Sequence, residues 1–278
     1  MKKLLIGLLA IMILISAVGC GKKETPKTSE STQAGLNGSI TLVGSDSMQN
    51  VVGALADEFE AKNPNAKIQV QGGGSGASFE PVRKGIAQLG LVSRKLKTEE
   101  NDLKTIQIAF DGIAFAVNKN NPVENLTKDQ LAKIYAGEIT NWKDVGGKDM
   151  KITVISREAG SGTTGTFEDI IMKKAKKEIA PSVLRINQSE GIKATVAKSE
   201  GTIGFFSLYL ADETVKKLKI EGVEATEDNV KNSSYALSRP FNFTYKTEPT
   251  GVAKAFIDFA LSPEGQKIVA DEKLITLK

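Results

Sequence analysis

Three short segments concentrate the residues able to do chemistry: GSDSM (Gly44–Met48), GGGSGAS (Gly72–Ser78) and GSGTT (Gly160–Thr164). Each combines glycines, which let a backbone approach a small ligand, with hydroxyls that donate hydrogen bonds. Each also follows a strand-like run and opens a helix-like one. The first N–H groups of a helix have no partner within it and carry a partial positive charge, so such ends can hold anions. Taken singly, each segment is what ordinary capping and turn formation use. Three of them, with Arg157 just ahead of the third, point to one small oxyanion held from several sides. A guanidinium would add two parallel, charge-assisted bonds.

Hydrolysis fits the same segments poorly. GSGTTGTF (Gly160–Phe167) spaces its glycines like a nucleotide-binding loop, but Thr166 stands where the lysine must be. Ser75 and Ser161 lack the flanks of a G-x-S-x-G nucleophile elbow. The chain has no histidine, which excludes His triads, His-ligated metals and imidazole pH switches. Enzymes remain possible but are disfavoured, and the expectation is of a binding protein, not an enzyme, with no metal and no cofactor.

The elements that must position these loops are legible as alternating strands and helices. Ile40 and Leu42 mark a strand, and Met48, Val52, Leu55 and Phe59, spaced by four, three and four, mark one face of a helix that Asn63-Pro64 stops. Ile68 and Val70 alternate before the second loop, a short helix begins near Ser75 or Gly76, and IAQLGLVSRKL gives a further strand. KITVISR, the third loop and FEDIIMKKAKKE repeat the strand, turn, helix order. That rhythm predicts an α/β fold with a mostly parallel sheet.

The front of the chain has another task. Two lysines, an apolar run from Leu4 to Val18 and small residues before Cys20 read as a secretory signal, and the run is short for a membrane span. AVGC (Ala17–Cys20) resembles a bacterial lipobox, with Ala17 in place of the usual leucine, and Cys20 is the only cysteine. Residues 1–19 are thus expected as signal peptide and 20–36 as a flexible tether from a lipidated Cys20. Lysine and arginine total 37 against 33 acidic residues, and loss of Lys2 and Lys3 with the signal leaves 35. This balance gives no footprint for nucleic acid.

The order SITLVGSDSM, GGGSGAS, GLVSRKL, DGIAFAVN, SREAGSGTTGTFED, EGTIGFFSL and FALSPEGQKIV resembles the phosphate-binding lipoproteins of bacterial ABC phosphate importers, most specifically in R-x-x-G-S-G-T (Arg157–Thr163). The resemblance implies a periplasmic-binding-protein-like fold, a monomer whose two lobes with mixed, mostly parallel sheets close on one phosphate and deliver it to a membrane permease. Lobe I is expected at 37–113 plus 245–278 and lobe II at 114–244, with crossings at Gly112–Phe115 and Asn242–Tyr245. Carried over by position, Ser47, the Met48 amide and Ser75 face Arg157, Ser161, the Gly162 amide and Thr163. Several members of that family place an aspartate after the third strand to accept a phosphate proton, whereas this chain has Ser93 and Arg94. Both enter the expected site, with Asp111 as the replacement acceptor and Asp46 as the other candidate. Lacking an acceptor, the site would suit sulfate or molybdate; an extracytoplasmic phosphoesterase is the more distant alternative.

Overall fold

A computed structural model describes residues 36–277; the expected signal peptide and Cys20, and all but the last residue of the tether, lie outside them. Strand β1 (Gly38–Gly44) feeds α1 (Gln49–Lys62) through the first glycine loop. Met48, Val52, Leu55 and Phe59 are all buried, as their spacing requires. Strands β2 (Ala66–Gln71) and β3 (Leu89–Val92) flank β1 in parallel, with a 3-10 turn at Ser75–Ser78 and α2 (Phe79–Arg83) between them.

The long strand β4 (Lys104–Val117) then carries the chain into a second region. There β5 (Asn125–Leu126) and α3 (Lys128–Tyr135) precede β6 (Thr153–Arg157), the third loop and α4 (Gly162–Phe167). Next come β7 (Leu184–Ile186), α5 (Ser189–Lys198), β8 (Thr202–Ser207), the short β9 (Lys216–Lys217) and β10 (Lys219–Ile220), and α6 (Glu227–Lys231). Strand β11 (Ser238–Tyr245) returns to the first region, which α7 (Gly251–Leu261) and α8 (Pro263–Asp271) complete.

The main sheet runs β2-β1-β3-β11-β4-β8-β6-β7, with β9 beside β4. It is parallel on both flanks and antiparallel through β3, β11, β4 and β8. The expected parallel order holds where a helix connects neighbouring strands. It fails in the middle, because β11 arrives from late in the chain and fits against β3 and β4 head to tail.

Two large core clusters divide the work. One, in the terminal half, gathers Leu42, Leu55, Phe59, Leu91, Ile108, Phe241, Phe243 and Phe256. The other, in the central half, gathers Phe115, Tyr135, Trp142, Phe167, Phe205 and Leu237. Phe115, Tyr135, Phe167 and Phe205 form an aromatic nest with ring centroids 4.7 to 5.9 Å apart. Burying each such ring stabilises by about 1.5–3 kcal/mol, and Phe167 thereby anchors α4 and the loop before it. The chain passes between clusters along β4 at Phe110–Gly112 and along β11 at Ser238–Pro240, which pair with one another in antiparallel register. The second passage thus lies ahead of the expected Asn242–Tyr245, whose residues 242–244 are already paired with β3. One ladder holds both crossings, so the position of the first fixes the second.

Candidate oxyanion site

Loop geometry brings all three segments to one place. At Gly44, φ is +144° and an added Cβ would meet the Leu91 carbonyl oxygen at 2.3 Å, so only glycine lets β1 end this close to β3. The chain then turns through Ser45–Met48, with the Met48 amide donating to the Ser45 carbonyl at 3.0 Å. Ser75 is fully buried, and its hydroxyl accepts from the Ser93 amide at 3.1 Å. Ser161 caps α4, its Oγ accepting from the amides of Thr163 and Thr164. The Gly76 amide donates to the Gly160 carbonyl at 3.0 Å, joining the second loop to the third.

A ring of hydroxyls results. Ser47 Oγ lies 3.2 Å from Thr163 Oγ1, Ser45 Oγ donates to Ser93 Oγ at 2.7 Å, and Ser75 Oγ lies 3.4 Å from Ser93 Oγ. All five side chains are at most 3% exposed. A Cβ on Gly162 would stand 2.3 Å from Ser93 Oγ and 2.4 Å from Ser75 Oγ, so the helix backbone itself closes the ring. Hydroxyls each offer a donor and two lone pairs, and their convergence with backbone amides suits a small, hydrogen-bond-accepting anion.

Two buried arginines border the ring. Arg157 donates through Nη2 to Asp46 Oδ2 at 2.9 Å and to Glu158 at 3.1 Å, and through Nη1 to Ser189 Oγ at 3.0 Å. Asp46 also accepts from the Gly73 amide at 3.0 Å, so the first and second loops meet Arg157 together. Arg239, opposite Asp111 in the ladder, donates through Nε and Nη2 to Asp111 Oδ2 at 3.1 and 2.8 Å. Its Nη1 reaches Thr163 Oγ1 at 2.6 Å and Ser93 Oγ at 3.1 Å. Burial pushes the Asp111 carboxyl above its ordinary value, against the pull of Arg239, the Ser207 hydroxyl and the Gly112 amide. The same burial lowers Arg239, which Asp111 opposes; an arginine starts so far above neutrality that it stays charged.

Of the expected residues, Ser47, Ser75, Ser93, Arg157, Ser161, Gly162 and Thr163 converge, and Met48 contributes only its amide, its side chain filling the core. Arg94 does not join them. Its guanidinium forms a double hydrogen bond with Glu100, 2.7 Å on each side, and lies 5.3 Å from the Phe79 ring centroid. Ser93 and Arg94 lie in the bend that follows β3, where Ser93 faces the ring and Arg94 is held away from it by Glu100. Asp111 is likewise committed: its Oδ2 accepts from Arg239 and from Ser207 Oγ at 2.7 Å. The carboxylates beside the loops are Asp46 and Glu158, both bonded to Arg157, and Asp46 is the one on the first loop. Sequence reasoning missed Ser45, Ser207 and Arg239, and Arg239 carries no local motif. Among the described residues no cluster offers three potential metal ligands.

Comparison with known proteins places the chain in a family. The PBP superfamily domain matches residues 28–264. The phosphate-binding protein PstS of Bacillus subtilis (strain 168) is 37% identical over 98% of this chain and 93% of its own. A solved structure from Clostridium perfringens, described as a phosphate ABC transporter substrate-binding protein with bound phosphate, is 45% identical. It covers 87% of this chain and 100% of its own with a TM-score of 0.82. An ABC-type phosphate transport receptor from Vibrio cholerae is 37% identical, covering 86% and 100%, with a TM-score of 0.76.

Proposed function

We propose, from the premise that this chain belongs to the PBP superfamily and within it to the PstS phosphate-binding proteins, that it captures inorganic phosphate and delivers it to an ABC importer. The observation that carries this reading is the meeting of both halves at one ring of buried hydroxyls, through Ser47 with Thr163 and Asp46 with Arg157. Phosphate takes its place among Ser47, Ser75, Ser93, Arg157, Ser161, the Gly162 amide and Thr163. The terminal and central halves act as two lobes, and an anion that contacts both favours the state in which they are together. Hinge bending falls at the paired crossings, Phe110–Gly112 and Ser238–Pro240.

Sulfate carries no proton at neutral pH, so a carboxylate in the site discriminates against it: lone pairs would face lone pairs in a dry environment. Asp46, on the first loop and 15% exposed at its side chain, is a carboxylate in reach. Calorimetric titration with phosphate, arsenate, sulfate and molybdate tests the reading. Phosphate is expected to bind with clear preference over sulfate, and Asp46→Asn to narrow that preference. Equal binding of both anions by the unaltered protein would favour a general oxyanion receptor, and no binding at all would refute the function. The protein works as a monomer tethered outside the cytoplasm through a lipidated Cys20.

A further inference from the structure

Arg239 sits where the sequence gives no hint of a site. It lies on the crossing strand, 1% exposed, with its guanidinium between the two halves. Its five N–H groups divide into two sets. Nε and Nη2 are spent on Asp111 and on Ser207 Oγ at 2.5 Å, and the Ser207 hydroxyl passes its own hydrogen to Asp111 at 2.7 Å. Asp111 and Ser207 thus clamp one edge of the fork. The opposite edge, Nη1, points at Ser93 Oγ from the terminal half and Thr163 Oγ1 from the central half.

Those two contacts fix hydrogen-bond polarity. Ser93 Oγ accepts from Ser45 Oγ and from Arg239 Nη1, which occupies both of its lone pairs. Its own hydrogen is therefore available only as a donor. Thr163 Oγ1 accepts the short bond from the same nitrogen, so its own hydrogen points away from Arg239 and is free to donate elsewhere, while either hydroxyl can be the donor between Thr163 and Ser47. A guanidinium has no acceptor and holds its proton at all physiological pH, so this orientation cannot reverse.

Resting on the phosphate-receptor reading, we propose that Arg239 is a second cation of the oxyanion site, a positioning residue that holds Ser93 and Thr163 as hydrogen donors toward the bound anion. It acts from the hinge, so both hydroxyls face the anion in this way only when the halves meet. Asp111 serves it by fixing the fork and balancing its charge, which is why that carboxylate is buried at the crossing and not at the anion.

The test is calorimetric titration with phosphate of the unaltered protein and of a neutral pair, Arg239→Met with Asp111→Asn, which leaves no unpaired buried charge. Loss of one charge-assisted hydrogen-bond set predicts an affinity about thirtyfold weaker in the neutral pair, with its unfolding temperature preserved. Ser93→Ala is expected to cost about tenfold in the unaltered background and less than about threefold in the neutral pair, because neighbours that act as a unit are not additive. Asp111→Asn alone keeps the cation and is expected to bind at least as well as the unaltered protein. Neutral-pair binding within about threefold of the unaltered protein, or equal Ser93→Ala losses in both backgrounds, would overturn the role of Arg239 while leaving the receptor function standing. If the neutral pair does not fold, a large loss in Asp111→Asn alone overturns it instead. Absence of oxyanion binding by the unaltered protein overturns the receptor reading itself and this role with it.

Discussion

Gly162→Ala separates closure from folding. The added methyl would stand 2.3 Å from Ser93 Oγ, 2.4 Å from Ser75 Oγ and 3.2 Å from the Ser93 carbonyl carbon. Ordinary carbon contacts begin near 3.5 Å, so the neighbours must retreat by roughly 1 Å. Neither serine is free to swing aside, since Ser75 Oγ holds the Ser93 amide and Ser93 Oγ holds Ser45 and Arg239. Overpacking of a tight interior costs about 1–3 kcal/mol. Here the cost falls on the contact between halves, because α4 is anchored by Phe167 in the central cluster while both serines belong to loops of the terminal half. Phosphate affinity should therefore fall by about fivefold to 150-fold.

Folding responds in the opposite direction. Residue 162 begins a helix, where alanine is favoured over glycine by up to about 1 kcal/mol. Thermal unfolding without phosphate should show an unchanged or slightly raised midpoint, and added phosphate should raise it less than in the unaltered protein. Small-angle scattering should show a weaker phosphate-induced decrease in radius of gyration. Unaltered affinity in the alanine variant would refute the placement of this backbone at the anion, and a lowered phosphate-free midpoint would show that the methyl damages the fold instead.

Arg157→Ala should weaken phosphate binding by roughly a hundredfold in calorimetry, since it removes a charge-assisted donor and leaves Asp46 and Glu158 to repel the anion; a loss below about threefold would place Arg157 outside the site. Arg94→Ala should keep phosphate affinity within about threefold yet lose about 3–5 kcal/mol in urea unfolding, because it strands the buried Glu100. Burial alone would raise the Glu100 carboxyl, but Arg94 and the Lys97 amide outweigh it and hold it below its ordinary value. Its stabilising contribution is present above the ordinary carboxylate range and is lost as pH falls through the lowered value, so Glu100→Gln should flatten the acid limb of stability against pH. Cys20→Ala should move the protein from the membrane fraction to the medium on cell fractionation; retention in the membrane would refute the lipid tether.

What the sequence discloses is whatever is local. The α1 face at Met48, Val52, Leu55 and Phe59 follows from helical spacing, and Arg157 stands out because a glycine-serine helix start follows it within four residues. Arg239 has only Pro240 and an alternating strand around it, and its partner Asp111 is 128 positions away. Their meeting depends on the antiparallel register of β11 on β4, which periodicity cannot supply. Arg94 shows the converse: adjacency to Ser93 suggests a shared site, whereas the bend after β3 turns Arg94 to Glu100, six residues on. Asp111 is expected from the sequence as the acceptor of a ligand proton, whereas in the structure its carboxylate is paired with the Arg239 guanidinium.

The charges at the site explain how the halves can meet without mutual repulsion. Arg157 is close enough to disfavour the charge of Arg239, and two bare guanidiniums facing one ring would push the halves apart. Asp46 and Glu158 offset the first, and Asp111 offsets the second. Hydroxyls that would bind an anion bind one another in the meantime. Binding is therefore an exchange: the anion must displace contacts such as Ser47 with Thr163, and only the surplus over those contacts appears as affinity. A cation balanced by a carboxylate keeps its directed N–H groups while losing most of its long-range pull, so selectivity here rests on the geometry of donors more than on net charge. On the proposed reading, sulfate, which matches monohydrogen phosphate in shape and charge and lacks only its proton, is rejected by an acceptor such as Asp46 and not by the field of the site.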